Sequence, residues 1–166
     1  INEEQAAGQK IRPVRLGILN LMPTKVSTET QLLRLLANSP LQVDVTLLQT
    51  VTHEHRHVDP RHMLIHYAGL EQVQNQRFDG LIITGAPVEH LEFTAVDYWD
   101  ELCAFMDWAD RSVASTLHIC WGAQAGLFHR YGIPKYPLPQ KRFGVFEHRV
   151  LVPGERLLRG FDDLFW

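Results

Sequence analysis

Four short apolar runs, spaced by stretches of helical periodicity, constrain this chain more than any other feature. They cover residues 14–20, 41–48, 78–84 and 115–119. Each has the length of a strand; those at 78–84 and 115–119 suit buried strands, and 41–48 alternates well enough for one. Leu21-Met22-Pro23 stops the first, and Gly85-Ala86-Pro87 breaks the third. Ser27 or Thr28 can cap a helix whose apolar face uses Leu32, Leu33, Leu35 and Leu36. A second helix is expected within 60–67. A third covers 96–108, where Trp99, Leu102, Phe105, Met106 and Trp108 recur at helical spacing. A last strand, antiparallel, is expected over 143–152. Strands alternating with helices predict an α/β fold: a mostly parallel sheet with helices on both faces.

The run at 115–119 leads into Cys120, Trp121, Gly122 and Ala123, then a helical pattern. A cysteine on a sharp strand-to-helix turn is the layout of a nucleophile elbow. The small residues after it let the backbone turn tightly and let a substrate approach. The helix start offers its N–H groups and positive dipole end to the sulfur, which favours thiolate. A free cysteine is also commonly buried and inert, so both readings stand on the local pattern. Sites in such sheets form beyond the carboxyl ends of the strands. The loops at 21–25 and 85–91 and the Cys120 corner meet that rule. The backbone N–H groups of Gly85 and Ala86, with that of Trp121, could form an oxyanion hole. An ordinary strand-ending turn is the competing reading of 85–87.

The remaining composition excludes more than it assigns. The 166 residues suffice for one domain with a real core, expected over 13–166 behind a loose polar arm at 1–12. A net charge of −3 offers nothing to nucleic acid or an anionic membrane. No apolar run reaches membrane-spanning length, and the chain start lacks a signal-peptide layout. The two cysteines, Cys103 and Cys120, form neither a disulfide framework nor a metal spacing, as suits a reducing compartment. His53, His55 and His57 alternate in a polar segment with Glu54 and Asp59 nearby, but match no ligand spacing, and a solvated loop is the expectation. The chain begins without Met and stops at Phe165-Trp166, so a longer parent protein is expected.

Ile119-Cys120-Trp121-Gly122-Ala123-Gln124, with Thr84-Gly85-Ala86-Pro87 upstream, resembles the class I glutamine amidotransferase superfamily. A closer resemblance is to the homoserine O-succinyltransferase/O-acetyltransferase family of methionine biosynthesis. It rests on Ile18-Leu19-Asn20-Leu21-Met22-Pro23, Thr28-Glu29, Asn38-Ser39-Pro40-Leu41-Gln42-Val43 and Phe78-Asp79-Gly80-Leu81-Ile82. Tyr131-Gly132-Ile133-Pro134-Lys135, Glu147-His148 and Gly160-Phe161-Asp162-Asp163 continue it, in order, along nearly the whole chain.

The resemblance implies an amidotransferase-like fold in which Cys120 takes an acyl group from acyl-CoA as a thioester and an amino-acid hydroxyl then removes it. Lys141 matches a substrate-binding lysine of the family, and Lys25 a lysine beside the site; on sequence alone each could be a solvated charge. The family's catalytic His and Glu lie in a later segment that this chain does not contain, so the fragment alone is expected to be inactive. His118 and His148 are expected to be structural. Glu89 matches a position where glycine goes with succinyl-CoA and glutamate with acetyl-CoA. Its carboxylate would repel that of a succinyl group, which makes acetyl-CoA the expected donor and homoserine the default acceptor. Neither a bound cofactor nor a metal is implied, and the family suggests a cytoplasmic homodimer acting on small molecules. Succinyl transfer, serine as acceptor, an amidotransferase that hydrolyses glutamine, and a non-enzymatic binding module are the alternatives.

Overall fold

A computed structural model describes residues 4, 8–52, 59–140 and 142–166. His53, Glu54, His55, His57 and Lys141 lie outside the described residues. The chain divides into two compact units, Ile1–Lys135 and Tyr136–Trp166.

In the first unit β1 (Val14–Leu19) leads to α1 (Lys25–Ala37), β2 (Val43–Leu48), α2 (Pro60–His66), β3 (Tyr67–Ala68) and α3 (Leu70–Val73). Then follow β4 (Gly80–Ile83), a 3-10 turn at Phe93–Ala95, α4 (Trp99–Ser112), β5 (Thr116–His118) and α5 (Trp121–Tyr131). The five strands pair in the order β3-β2-β1-β4-β5, every pairing parallel. Between β1 and β4 the strand order reverses direction, so their carboxyl ends open the crevice where open α/β sheets bind ligands.

The core explains the apolar pattern. Leu19, Leu48, Leu81 and Ile83 from the sheet join Leu102, Phe105, Met106 and Trp108 of α4, and Trp121 and Ala125 of α5. Alternation along a strand sends Ile18 to the opposite face from Leu19, and both are fully buried, so the central strand is covered on both faces. Aromatic packing of Phe93 against Phe128, with ring centroids 4.5 Å apart, joins the 3-10 turn to α5. Among the described residues no helix is long and apolar enough to cross a membrane.

Four expectations are corrected. Helix α1 begins at Lys25 behind Thr24, before Ser27 and Thr28, because the Thr28 hydroxyl bonds back to the Thr24 carbonyl at 3.0 Å inside the helix. Leu33 and Leu35 of that helix are exposed, and its buried residues are Lys25 and Glu29. Helix α4 starts three residues later than expected, with Asp100 and Glu101 in its first turn, where acidic side chains suit the dipole. The expected arm is anchored at its described end: Gln9 bonds to Pro40 and Gln42, and Arg12 forks onto Asp79 at 2.6 and 2.7 Å. The Arg12 guanidinium, with the Arg15 N–H, holds the Asp79 carboxyl well below the usual carboxylate range.

In the second unit the strand expected over 143–152 is reduced to β6 (His148–Arg149), antiparallel to β7 (Leu164–Phe165). A two-stranded ribbon is marginal by itself. Stacking of His148 on Phe165, 5.3 Å between centroids, supplies a packing role for that histidine.

Candidate active site

The corner between β5 and α5 carries the conformation that its residue types suggest. Cys120 caps α5 with φ 55° and ψ −123°, and is the one non-glycine residue with positive φ among those described. A non-glycine residue keeps such a conformation only where its surroundings over-determine it. Here Ile119 donates to the Ile83 carbonyl at 2.9 Å, and Gly122 and Ala123 close the first turn onto Ile119 and Cys120 at 3.0 Å each. Gly122 has no room for a side chain, since a Cβ there would lie 2.5 Å from the Thr84 carbonyl oxygen. The result is a cysteine held out toward solvent at the start of a helix.

The turn after β4 faces this corner. A Cβ on Gly85 would stand 3.0 Å from the Cys120 Cβ and 3.3 Å from its Sγ, so only glycine leaves the sulfur clear. Gly85 and Ala86 are buried. Among the described residues their N–H groups find no acceptor, and neither does that of Trp121 at the first helical position. Buried backbone donors without partners are uncommon. Gly85, the one of these whose added Cβ would stand against the sulfur, adjoins Cys120 directly.

The loop after β1 is tied to the same turn, since Leu21 donates its N–H to the Thr84 hydroxyl at 2.8 Å. Beneath it lies a polar cluster that the sequence reading missed. Lys25, 1% exposed, donates its ammonium to the Asn20 carbonyl and stands 5.5 Å from the centre of the Tyr67 ring. Glu29, 6% exposed, accepts from the Tyr67 hydroxyl at 2.5 Å and pairs with His62 Nε2 at 3.1 Å. Asn20 donates to the Tyr67 oxygen at 3.0 Å. Burial lowers the Lys25 ammonium to about 8, against an opposing pull from Glu29, so the lysine stays charged at neutral pH. Burial and the Glu29 carboxylate push the Tyr67 phenol far above its ordinary range, so it remains a donor. Lys25 and Glu29 are four apart on one helix, a spacing that puts both on one face. That was the available signal for the cluster; Tyr67 and His62 come from elsewhere and had none.

Glu89 lies in the loop beyond Pro87, exposed, with its carboxylate 3.6 Å from the exposed His90 ring. Lys135 holds that loop by donating to the Glu89 carbonyl at 2.6 Å while its ammonium stands 5.4 Å from the centre of the Phe93 ring. His118 is turned into the fold, with ring contacts to the Gly122 carbonyl and Arg130, as a packed histidine should be. Cys103 is half-buried in α4, where burial and nearby Asp107 and Asp100 push its thiol up to about 11. Among the described residues no group of three His, Cys, Asp or Glu side chains is placed to hold a metal ion.

Comparison with known proteins gives one consistent result. The model of a family described as homoserine O-succinyltransferase matches residues 1–166. A homoserine O-acetyltransferase of Petrotoga mobilis is 57% identical over 166 residues, which is all of this chain and 54% of that protein. One of Acetivibrio thermocellus is 54% identical over the same span and share. One of Geobacillus kaustophilus is 58% identical over 165 residues, 99% of this chain and 55% of that protein. The chain thus spans about half the length of the curated relatives it matches.

Proposed function

The chain belongs to the homoserine O-succinyltransferase family, and from that premise we propose that its parent protein is a homoserine O-acetyltransferase with Cys120 as nucleophile. The observation that carries the reading is the Cys120 corner: an exposed sulfur at φ 55°, on a helix start, with Gly85 keeping the space beside it open. In the first half-reaction the Cys120 sulfur attacks the carbonyl carbon of acetyl-CoA. The negative charge moves to the carbonyl oxygen, within reach of the N–H groups of Trp121, Gly85 and Ala86. Collapse breaks the bond to the CoA sulfur, which leaves and takes up a proton, and Cys120 carries the acetyl group as a thioester. In the second half the homoserine hydroxyl loses its proton and attacks the thioester, releasing the O-acetyl ester and restoring the Cys120 thiol. On the family resemblance, the general base is proposed to be a histidine paired with a glutamate in a later segment of the parent protein.

Lys25, at the start of the helix after the loop beside the nucleophile, is proposed for substrate binding on the family resemblance. Lys141 is proposed for substrate binding on the family resemblance. Glu89 is proposed to choose the donor. A succinyl carboxylate about 4 Å from the Glu89 carboxylate is repelled by roughly 4 kcal/mol near a protein surface. That is close to a thousandfold in selectivity, at about tenfold per 1.4 kcal/mol. A cytoplasmic homodimer completes the reading.

The test is kcat/KM of the full-length protein with acetyl-CoA and succinyl-CoA, before and after Glu89→Gly. Acetyl-CoA preferred by the wild type, with succinyl-CoA gained by the variant, supports the assignment. Wild-type preference for succinyl-CoA, or no gain in the variant, removes Glu89 from donor choice. Light scattering that gives a monomer at micromolar concentration would remove the dimer.

A further inference from the structure

His118 ends β5, two residues before Cys120, and its ring reaches across the corner to the residue two positions after it. Its Nδ1 lies 3.1 Å from the Gly122 carbonyl oxygen, and its Nε2 lies 3.0 Å from an Arg130 guanidinium nitrogen. The guanidinium has only donors, and a carbonyl oxygen only accepts. Nε2 must therefore accept from Arg130, which leaves the ring proton on Nδ1, donated to Gly122. The two contacts together allow one state alone: a neutral imidazole protonated at Nδ1. Arg130 is itself fixed, donating its other terminal nitrogen to Asp110 on α4 at 2.6 Å. The ring lies against α5, where a Cβ on Gly126 would lie 2.8 Å from Nδ1. Among the described residues this bond and the Arg130 contact are the side-chain hydrogen bonds across the Cys120 turn.

We propose that His118 is a positioning residue for the nucleophile: held neutral by Arg130, which Asp110 anchors, it locks the Cys120 turn, and its protonation releases that lock. A protonated His118 would need to donate from Nε2 toward a guanidinium that cannot accept. The Arg130 contact then becomes a repulsion between like charges, and the ring leaves the Gly122 carbonyl. Turnover gains an acid limit of its own, separate from that of the general base. The charged groups facing the ring are Arg130 on α5 and Asp110 on α4, with the His129–Asp107 pair bridging the same helices at 2.7 Å. Burial lowers the imidazole from its ordinary value, the Arg130 charge acts in the same sense, and the Gly122 bond and Asp110 oppose them. The inference rests on the assignment of Cys120 as nucleophile.

The test uses the full-length protein and three readouts. Deuterium exchange at the imidazole C2 of His118, followed by mass spectrometry, reports that residue's own titration. The rate of Cys120 alkylation by iodoacetamide across pH reports the thiol, and kcat is compared with KM for acetyl-CoA. His118 should titrate below the ordinary imidazole range. Arg130→Met should move it upward, since a repelling charge is lost and Asp110 is left unpaired nearby, and the acid limb of alkylation should move with it. His118→Leu should lower kcat about tenfold with KM changed less than about twofold. His118→Asn, which keeps a donor near the Nδ1 position, should recover most of that loss. Ordinary titration of His118 in the wild type, an acid limb that Arg130→Met leaves in place, or wild-type kcat and alkylation in His118→Leu each overturn the proposal. If His118→Leu does not fold, the Arg130→Met readouts decide alone. Absence of an acetyl group on Cys120 would sink the acyltransferase reading and leave the exchange and alkylation readouts intact, so the two failures are distinguishable.

Discussion

Replacing Gly122 by alanine tests how tightly the nucleophile corner is set against the sheet. The new Cβ would lie 2.5 Å from the Thr84 carbonyl oxygen and 3.1 Å from that of Ile83, both backbone atoms at the end of a buried strand. Relief needs the start of α5 to retreat by about 0.5 Å to reach 3.0 Å, or about 0.9 Å to reach the 3.4 Å of an ordinary contact. Overpacking of this kind costs about 1–3 kcal/mol, a fall in melting temperature of roughly 1.5–5 °C for a protein about twice this length. The same retreat moves Cys120 and the Trp121 N–H away from Gly85 and Ala86, and a misplacement near 1 Å can cost about a hundredfold in rate. Gly154→Ala is the control, since a Cβ there meets nothing within 4 Å. Thermal unfolding and kcat of the full-length protein are the assays. If Gly122→Ala matches Gly154→Ala in both, the helix start is not clamped against β4 and the argument for the corner fails.

Two further predictions concern buried charge. Glu29→Gln removes the carboxylate whose charge partly offsets the burial of Lys25, so the lysine, brought down to about 8 by burial, should titrate lower still, with stability at pH 7 lower by about 1–3 kcal/mol from the weakened Tyr67 and His62 bonds. Because Lys25 binds its proton less tightly folded than unfolded, its contribution to stability rises with pH between about 8 and 10.5 in the wild type, and the rise should begin lower in the variant. Urea titrations at several pH values check this, and unchanged curves would refute it. His118 is also depressed, so as pH falls below the ordinary imidazole value of 6.5 the unfolded chain takes up the proton first and stability declines. His118→Gln should flatten that part of the stability–pH curve, and an unaltered slope would count against the buried neutral ring.

The sheet was legible because its strands are buried runs. Residues 14–20, 78–84 and 115–119 announce themselves by composition, and each contains a strand within a residue or two of the expected ends. The face of α4 was legible for the same reason: the five apolar positions read at helical spacing are all buried. Helix α1 misled because its leucines suggest an inner face, whereas the fold turns Lys25 and Glu29 inward. Two buried charged residues leave no hydrophobic trace, and their partners, Asn20, Tyr67 and His62, come together only through tertiary structure. The two-residue β3 was not read at all, since two residues carry no period. The Cys120 corner and the Gly85 turn beside it were legible as local geometry, from residue types at a strand end. The relay through His118, Arg130 and Asp110 was not, because it needs β5, α5 and α4 packed side by side.

The most direct test of the whole account is the chemical state of Cys120 after the donor half-reaction. The full-length protein is mixed with acetyl-CoA in the absence of homoserine, quenched in acid and digested, and the peptide holding Cys120 is examined by mass spectrometry. The account predicts the mass of one acetyl group on Cys120, lost on adding homoserine and absent in Cys120→Ala. An unmodified Cys120 alongside normal acetyl transfer, or transfer that survives Cys120→Ala, would contradict it.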